Sequence, residues 1–472
     1  MSVRSTGTLM NVLYRYFLLG GLAGCAALLS GASAQAPGRS PAPNGEVSRP
    51  NVVLISMDDA GWHDFGFHGS DIRTPAIDSM ARQGVEFTQF YASPTCTPTR
   101  AGLMTGRPPS RIGVTRAIDV EAPPPLPRDQ ITIAELMRRA GYDTAITGKW
   151  HLGNTLDFGP GTYGFRHSHG HLGPWVDFYE HTSMGGTTNW HRNGEFIRQE
   201  GHSTDLIAGE AVDFITRLRD KSKPFFLYVS LNAPHLPLQE EPEWVEMYRG
   251  KYASESRRFY AAMVSHADDG IRRVLEALRR QGLADDTLVF FFSDNGAEPP
   301  GKKEYIYPDP TLHTTTSTEM YGSSGPLRGF KFQLYEGGVR VPAVAYWPGK
   351  LQPKTNHEVL AIYDILPTVA AATGSPIPEG MKVEGVNFWP SVVGGGTVGE
   401  RVIYWHCEGR LAVRKGDWKL IHFGSTPDEG EDELYNIARD PYEKENLISK
   451  EPRLAAALRQ EMRKQYAMDP KG

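Results

Sequence analysis

The sequence predicts an α/β protein in which helices cover a parallel or mixed sheet. Short, continuous apolar runs recur along the chain, at residues 51–57, 224–231 and 287–292. Runs of this kind, rich in β-branched and aromatic residues, are typical of strands buried on both faces. Segments with helical periodicity separate them up to about residue 390, and this alternation indicates an α/β sandwich.

Length and composition indicate a globular enzyme with two parts. The 472 residues exceed the usual size of one domain, so we expect a large domain over 51–393 and a smaller one over 394–472, divided at a glycine run. Before them, residues 1–34 are predicted to be a signal peptide and 35–50 a flexible lead-in. The net charge of −5 gives no basis for a nucleic-acid partner.

The N-terminal segment has the features of an export signal. Two arginines precede the apolar run 16–29, which is too short for a comfortable membrane span. A small-residue cleavage site follows, so we predict cleavage near Ala34 and a periplasmic or secreted protein. Residues 22–25 resemble a bacterial lipobox, and the alternative is a lipoprotein anchored through Cys25. Because the apolar run continues past Cys25, plain cleavage is preferred.

Without this leader the chain keeps Cys96 and Cys407, which allow one disulfide but no disulfide framework. Cys96 lies between two prolines, and the run that follows it can begin a helix and ends at Gly106. Since proline suits the first turn of a helix, we expect Cys96 at a rigid loop-to-helix junction. Unpaired N–H groups at such a junction favour an anion. A buried structural cysteine is the equal alternative, whereas Cys407 is interpreted as structural.

Oxygen-bearing side chains follow two of the predicted strands. Asp58 and Asp59 come directly after the first apolar run, and Asp294 and Asn295 come after the strand 287–292. The carboxyl ends of such strands are where α/β folds place ligands. Adjacent carboxylates repel each other and a cation relieves this repulsion. Each pair could also be an ordinary solvated turn.

Basic side chains follow strand ends in the same way. Lys149 and His151 come after the predicted strand 142–147 and point in the same direction if the segment is extended. His235 follows the strand 224–231, and Lys331 lies in a glycine-rich segment. A lysine near a histidine is usually a surface feature when nothing else accompanies it.

The remaining elements follow from periodicity, caps and breakers. Thr74 and Thr132 are expected to cap helices, the second in a capping box with Glu135. Residues 154–205 show weak periodicity and five histidines whose spacing matches no zinc pattern, so we expect a long loop region that shapes a substrate pocket. Further helices are predicted at 206–219, 257–281, 362–369 and 452–466, and further strands at 85–87, 341–347, 402–405, 410–414 and 418–423.

The motif Cys96-x-Pro98-x-Arg100, followed by Ala101-Gly102, resembles the signature of the type I sulfatases, which are arylsulfatase-like members of the alkaline phosphatase superfamily. The strings at 148–153 and 325–342 match further motifs of that family, in the same order. The resemblance covers nearly the whole mature chain. It implies an alkaline-phosphatase-like sandwich, with a large mixed sheet flanked by helices and a smaller C-terminal antiparallel sheet with one helix.

The resemblance also implies a site. In this family a maturation enzyme oxidises the cysteine to Cα-formylglycine (3-oxoalanine), whose hydrate is the nucleophile. The implied ligands are hard oxygen donors that suit Ca²⁺ better than Mg²⁺ or Mn²⁺; they are Asp58, Asp59, Asp294, Asn295 and the modified Cys96. The implied catalytic and sulfate-binding residues are Cys96, Arg100, Lys149, His151, His235 and Lys331.

The function implied is hydrolysis of a sulfated carbohydrate or an aryl sulfate. One alternative is a phosphonate monoester or phosphodiester hydrolase of the same superfamily. Because those relatives replace one or two of the oxygen ligands, Asp59 and Asn295 favour sulfate. The other alternative is a non-catalytic relative that binds sulfated glycans; such a protein is expected to have lost site residues, and all are present here.

Overall fold

The computed structural model describes residues 49–119, 126–183, 186–299 and 321–471. The predicted signal peptide and all but the last two residues of the lead-in, with Cys25, lie outside the described residues. Within these ranges no helix combines the length and the apolar character that crossing a membrane requires.

The strands of the described residues form one large sheet and two smaller ones. In chain order they are β1 (Asn51–Met57), β2 (Val85–Phe87), β3 (Phe90–Tyr91), β4 (Asp143–Gly148), β5 (His167–His171), β6 (Trp190–Arg192), β7 (Glu195–Phe196), β8 (Phe225–Ser230), β9 (Thr287–Ser293), β10 (Ala343–Tyr346), β11 (Lys354–Asn356), β12 (Leu360–Ala361), β13 (Val402–Cys407), β14 (Arg410–Lys415), β15 (Trp418–Thr426) and β16 (Glu429–Asn436).

The α-helices of the described residues include one long helix, α6, that crosses a face of the large sheet. They are α1 (Pro75–Gln83), α2 (Cys96–Thr105), α3 (Ile133–Arg139), α4 (Ser203–Asp213), α5 (Pro242–Glu246), α6 (Glu255–Arg280), α7 (Glu336–Val339), α8 (Ile365–Ala372), α9 (Trp389–Val393) and α10 (Pro452–Tyr466).

The large sheet is mixed and has the order β11-β2-β10-β9-β1-β8-β4-β5-β6-β7. Its centre, from β9 to β5, is parallel, whereas β10 pairs antiparallel with both β9 and β2. Side chains alternate across β1: Val52 and Leu54 join one buried apolar cluster, and Val53 and Ile55 join the cluster on the opposite face. Helices cover both faces, which confirms the predicted sandwich.

The C-terminal strands β13 to β16 form a four-stranded antiparallel sheet. Helix α10 covers it, with Leu458 and Met462 packed against Leu411 and Leu420. The smaller sheet with one helix is therefore confirmed. The domain boundary near residue 394 stays a prediction.

Several local predictions were wrong. The region 154–205 is more than a loop, because β5, β6 and β7 in it extend the large sheet. Thr74 makes no capping hydrogen bond; its hydroxyl donates to Asp78 instead. The helix expected at 206–219 begins at Ser203, and its last turn, Phe214–Leu218, is π-helical. By contrast, Thr132 accepts from the Glu135 amide as expected.

Candidate active site

The predicted site residues converge at the carboxyl edge of the parallel strands. Strands β1 and β9 are neighbours, so Asp58 and Asp59 meet Asp294 and Asn295 directly after the two strands end. Strands β8 and β4 continue the same edge and lead to His235 and Lys149. All these side chains are less than 10% exposed. Parallel pairing thus gathers residues that are far apart in the sequence.

Cys96 is the first residue of α2 and is 3% exposed. Thr95 before it is extended, and the helix ends at Gly106 in the left-handed conformation, as predicted. The amide of Phe332 donates to the carbonyl of Pro94 at 2.8 Å, so the segment that carries Lys331 is tied to the cysteine loop. Both Cys96 and Cys407 are free thiols, and the optional disulfide is absent from the described residues.

The carboxylates and the amide contact one another closely. The Asn295 amide nitrogen donates to Asp59 Oδ1 at 2.7 Å, and the Asp59 backbone N–H donates to Asp294 Oδ1 at 3.2 Å. Asp59 itself has a φ of 68°, in the left-handed region that non-glycine residues rarely adopt. Burial, and then the charge of Asp58, raise the pKa of Asp294 to about 7 against the opposing Arg100.

These oxygens fit a hard divalent cation. Among the described residues, Asp58 Oδ1 and Asn295 Oδ1 are buried and have no hydrogen-bond partner. Leaving such atoms unsatisfied costs about 1–3 kcal/mol each, and metal coordination would remove that cost. Carboxylate and amide oxygens without sulfur or imidazole suit Ca²⁺ or Mg²⁺. Asp58, Asp59 and His235 also offer one ligand atom each within 4.8 Å of one another.

Arg100 joins three of the strand ends. One guanidinium nitrogen donates to the Lys149 carbonyl at 2.9 Å and to Ser230 Oγ at 2.6 Å, and the other donates to Asp294 Oδ2 at 2.8 Å. Buried but surrounded by these acceptors, it is a fixed positive charge.

Two lysines complete the positive side of the site. Lys149 Nζ lies 2.5 Å from Asp58 Oδ2, and Lys331 Nζ lies 2.7 Å from Asp59 Oδ2. Burial alone would lower the pKa of Lys331, but Asp59 and Glu298 outweigh it and raise the pKa well above its ordinary value. Three cations thus face four carboxylates, Glu298 included, and a bound dication would leave the site with a net positive charge that attracts an anion.

The two histidines are held as neutral rings. His151 Nε2 faces the Ile118 carbonyl at 2.9 Å, whereas its Nδ1 is buried without a partner in the described residues. Burial and then Lys149 hold the pKa of His151 well below its usual range. Burial lowers the pKa of His235 to about 4, although Asp59 opposes this. The unpartnered nitrogen leaves His151 able to accept a proton.

Three contacts were not foreseen from the sequence. Glu298 Oε2 lies 2.7 Å from Lys331 Nζ, Ser230 binds Arg100, and the Thr97 hydroxyl lies 3.1 Å from His151 Nε2. Glu298 stands three residues after Asn295, and Thr97 stands inside the cysteine motif. Their closeness in sequence to predicted site residues indicates that Glu298 and Thr97 lie near the site. It does not indicate that Glu298 contacts Lys331 or that Thr97 contacts His151.

Comparison with protein families agrees with this geometry. The family described as "Sulfatase" matches residues 50–375. The family described as "N-sulphoglucosamine sulphohydrolase, C-terminal" matches residues 330–468.

Known proteins with similar sequences carry related names. N-acetylgalactosamine-6-sulfatase of Homo sapiens is 33% identical over 404 residues, covering 80% of this chain and 72% of the relative. Arylsulfatase A of Bos taurus is 30% identical over 452 residues, covering 85% and 84%.

Solved structures share the architecture. Ps i-CgsB in complex with k-i-k-neocarrahexaose has a TM-score of 0.79 and 30% identity, covering 89% of this chain and 94% of that chain. PsFucS1 sulfatase from Pseudoalteromonas sp. has a TM-score of 0.73 and 25% identity, covering 89% and 90%. With a family match over more than half of its length, this chain belongs to the sulfatase family of the alkaline phosphatase superfamily and is a sulfuric ester hydrolase.

Proposed function

We propose that the protein removes sulfate from a sulfated carbohydrate, with Cys96 in its formylglycine form and Ca²⁺ held by the four oxygen ligands. The observation that carries this proposal is the single buried cluster at the strand ends. Cys96 supports it as the buried first residue of α2, and the charges of Lys149, Lys331, Asp58 and Asp294 all act on its thiol. The predicted leader further supports export to the periplasm or the medium.

The carbohydrate substrate is supported by what similar proteins act on or bind. One relative is named for N-acetylgalactosamine 6-sulfate, and one structural neighbour holds a carrageenan-type hexaose, k-i-k-neocarrahexaose. Aryl sulfates remain suitable test substrates because the chemistry at sulfur is the same.

The formylglycine form is supported by the state of the thiol. Burial raises the pKa of Cys96 to about 11, although Lys149 and Lys331 oppose the rise. A neutral thiol is a poor nucleophile. Oxidation by a formylglycine-generating enzyme replaces the sulfur and two hydrogens with an aldehyde oxygen, and the hydrate then carries two hydroxyl groups.

Asp58, Asp59, Asp294 and Asn295 would hold Ca²⁺ through oxygen atoms, together with the modified Cys96. A bound ion would lower the pKa of one hydrate hydroxyl and so supply a nucleophile at neutral pH. Mg²⁺ and Mn²⁺ are the less suitable occupants because they demand stricter octahedral geometry.

The remaining residues have separate roles in this proposal. Arg100 and Lys149 stabilise the charge that spreads over the sulfuryl oxygens. His235 and Lys331 bind sulfate, and Lys331, which stays charged beside Asp59 and Glu298, donates the proton to the leaving oxygen. His151 takes the proton of the second hydroxyl through its free Nδ1. The carbonyl then re-forms, the bond from carbon to the sulfate oxygen breaks, and sulfate leaves.

The first experiment combines mass spectrometry with turnover assays on the secreted protein. We expect the tryptic peptide 83–100 to be about 18 Da lighter than its cysteine form. We also expect release of sulfate from p-nitrophenyl sulfate and from sulfated galactosamine or carrageenan oligosaccharides. Cys96→Ala is the control and should release none.

Two results would overturn the proposal. An unmodified Cys96, in a host that modifies such motifs, together with sulfate release would point to another nucleophile. Faster hydrolysis of p-nitrophenyl phosphate or a phosphonate monoester than of any sulfate ester would favour the phosphoryl alternative.

A further inference from the structure

A second group of metal-binding side chains lies outside the cluster at the strand ends. His202 directly precedes α4, Glu240 ends the loop after β8, and His266 lies in the middle of α6. Each is about 1% exposed, and one ligand atom of each lies within 4.8 Å of the other two. We propose that His202, Glu240 and His266 form a second metal site, which binds a divalent transition metal, best Zn²⁺.

The spacing of the donor atoms suits a tetrahedral ion. Glu240 Oε1 lies 2.9 Å from His266 Nδ1 and 3.6 Å from His202 Nε2. Ligands about 2.1 Å from a tetrahedral zinc ion are about 3.4 Å apart, so the two distances bracket the required value. Two histidines and one glutamate are a known zinc donor set that leaves a fourth position for water.

The surroundings of His266 resemble the outer shell of a zinc site. Its Nε2 lies 3.3 Å from Asp205 Oδ2, and such a carboxylate fixes the orientation of a ligating imidazole. Asp205 is itself paired with Arg273 at 2.7 Å, so its charge is already balanced. Trp244 stacks on the ring with the centroids 4.7 Å apart, which fixes the ring further.

A buried, unsatisfied oxygen is the independent indication of a ligand. Glu240 Oε2 has no hydrogen-bond partner in the part of the chain that the structure describes. A buried carboxylate oxygen without a partner is costly, and a cation that Glu240 coordinates through both of its oxygens would satisfy it.

The two proposed sites differ in donor chemistry. The strand-end cluster offers oxygen to a hard cation, whereas two imidazoles at the second site select zinc. Glu240 follows His235 by five residues on one loop. Zinc at Glu240 would therefore anchor the far end of that loop to α4 and α6.

The test uses the full secreted protein without a polyhistidine tag. Elemental analysis after dialysis against zinc and calcium should give one zinc per chain in the wild type. Glu240→Gln should lose that zinc and keep its calcium. Glu243→Gln is the matched control, since Glu243 is exposed and three residues away, and it should keep both ions. Asp205→Asn should weaken zinc binding by about 10- to 100-fold.

The zinc content of the wild type, compared with that of Glu240→Gln, can overturn the proposal. If equilibrium dialysis gives no more zinc in the wild type than in Glu240→Gln, the cluster is only an ion pair around a protonated His266. Should Glu240→Gln fail to fold, cobalt decides with the wild type: tetrahedral visible bands support the site, and their absence rejects it.

Discussion

At the scale of single residues, two residues of the candidate site have strained backbone conformations. Asp59 has a φ of 68° and His151 a φ of 55°, both in the left-handed region. Such conformations cost about 1–3 kcal/mol in a non-glycine residue and persist only where the surroundings enforce them. Asp59 is the second residue after β1 and His151 the third after β4, so the left-handed conformation redirects the chain where it leaves each strand.

His151→Ala should trap the enzyme between two steps. The variant keeps the nucleophile but lacks the base that restores the aldehyde, so turnover should fall by about 10²–10⁴-fold. Intact-mass spectra should show a covalent sulfate adduct. His181→Ala, which removes a buried histidine that also has a positive φ, is the control and should show no adduct. Unchanged turnover without an adduct would contradict the role.

The residues at the strand ends could be predicted from the sequence because a parallel sheet forces such positions together. Asp58 and Asp294 are examples: each follows a buried run directly. Glu298 could not be predicted. Its contact with Lys331 depends on how a long connection folds back, and no local pattern encodes that.

At the scale of elements, β5 shows why local patterns fail. Its sequence, HSHGH, has no β-branched residue and no alternation of apolar with polar residues, yet it pairs with β4 and is buried throughout. The residues of β5 have low intrinsic strand propensity, so pairing with β4 and the stacking of His171 and His181 on Trp190 stabilise this strand instead.

The histidine-rich strands should make stability sensitive to acid. Burial lowers the pKa of His169 and of His191 from 6.5 to about 4. The unfolded chain therefore binds more protons between these values, so stability is full above pH 6.5 and falls as the pH drops towards 4. At about pH 5 the loss is about 2 kcal/mol per histidine.

Urea unfolding at neutral pH and at about pH 5 measures this loss. His191→Phe should lose less stability than the wild type over the same interval, because one titrating group is gone. An equal loss in both proteins would show that other groups control the acid response.

The turn after β9 requires glycine at position 296, where no side chain would fit. A Cβ added at Gly296 would lie 1.9 Å from the Gly337 carbonyl oxygen. Gly296→Ala should therefore displace the neighbouring Asn295, cost about 1–3 kcal/mol and lower calcium affinity. Gly209→Ala in α4, where a Cβ meets nothing within 4 Å, should instead stabilise by about 0.5–1 kcal/mol. Calorimetry with calcium titration separates the two; equal effects would contradict the argument.

At the scale of the whole molecule, a buried ion cluster joins the C-terminal sheet to α7 and β3. Lys419 on β15 lies 2.8 Å from Glu336 and 3.0 Å from Glu443, and all three are fully buried. Arg414 extends the cluster to Tyr91. The small sheet could be predicted from the sequence, but its contacts with the rest of the protein could not. Charged residues such as Lys419 are usually exposed, so nothing in the local sequence indicated that this one is buried in an ion cluster.

Lys419→Met should destabilise the protein by about 3–5 kcal/mol, since it removes the cation that lies closest to two buried carboxylates. Lys415→Met, at an exposed position on β14, should have little effect. Denaturant unfolding provides both values. Adding Glu336→Gln and Glu443→Gln to Lys419→Met should recover part of the loss, and further destabilisation would refute the electrostatic explanation.

The order of the strands in the large sheet could not be predicted either, because it also depends on contacts between residues far apart in the sequence. The antiparallel insertion of β10 between β9 and β2 pairs Ala345 with Val85, which lie about 260 residues apart in the sequence. No periodicity within a strand specifies such a neighbour. Only the central parallel strands, joined through helices, follow a connection rule.

The burial of Cys96 also sets the order of events in biosynthesis. Its side chain is 3% exposed, and the residues after it, up to Thr105, are buried inside α2. An oxidising enzyme that reads this segment as an extended peptide has no access once the sheet has assembled. If Cys96 is converted to formylglycine as proposed, this conversion would have to precede folding, and chains that fold first would stay inactive. The yield of active enzyme is then a competition between two rates, and slower folding at low temperature should increase it.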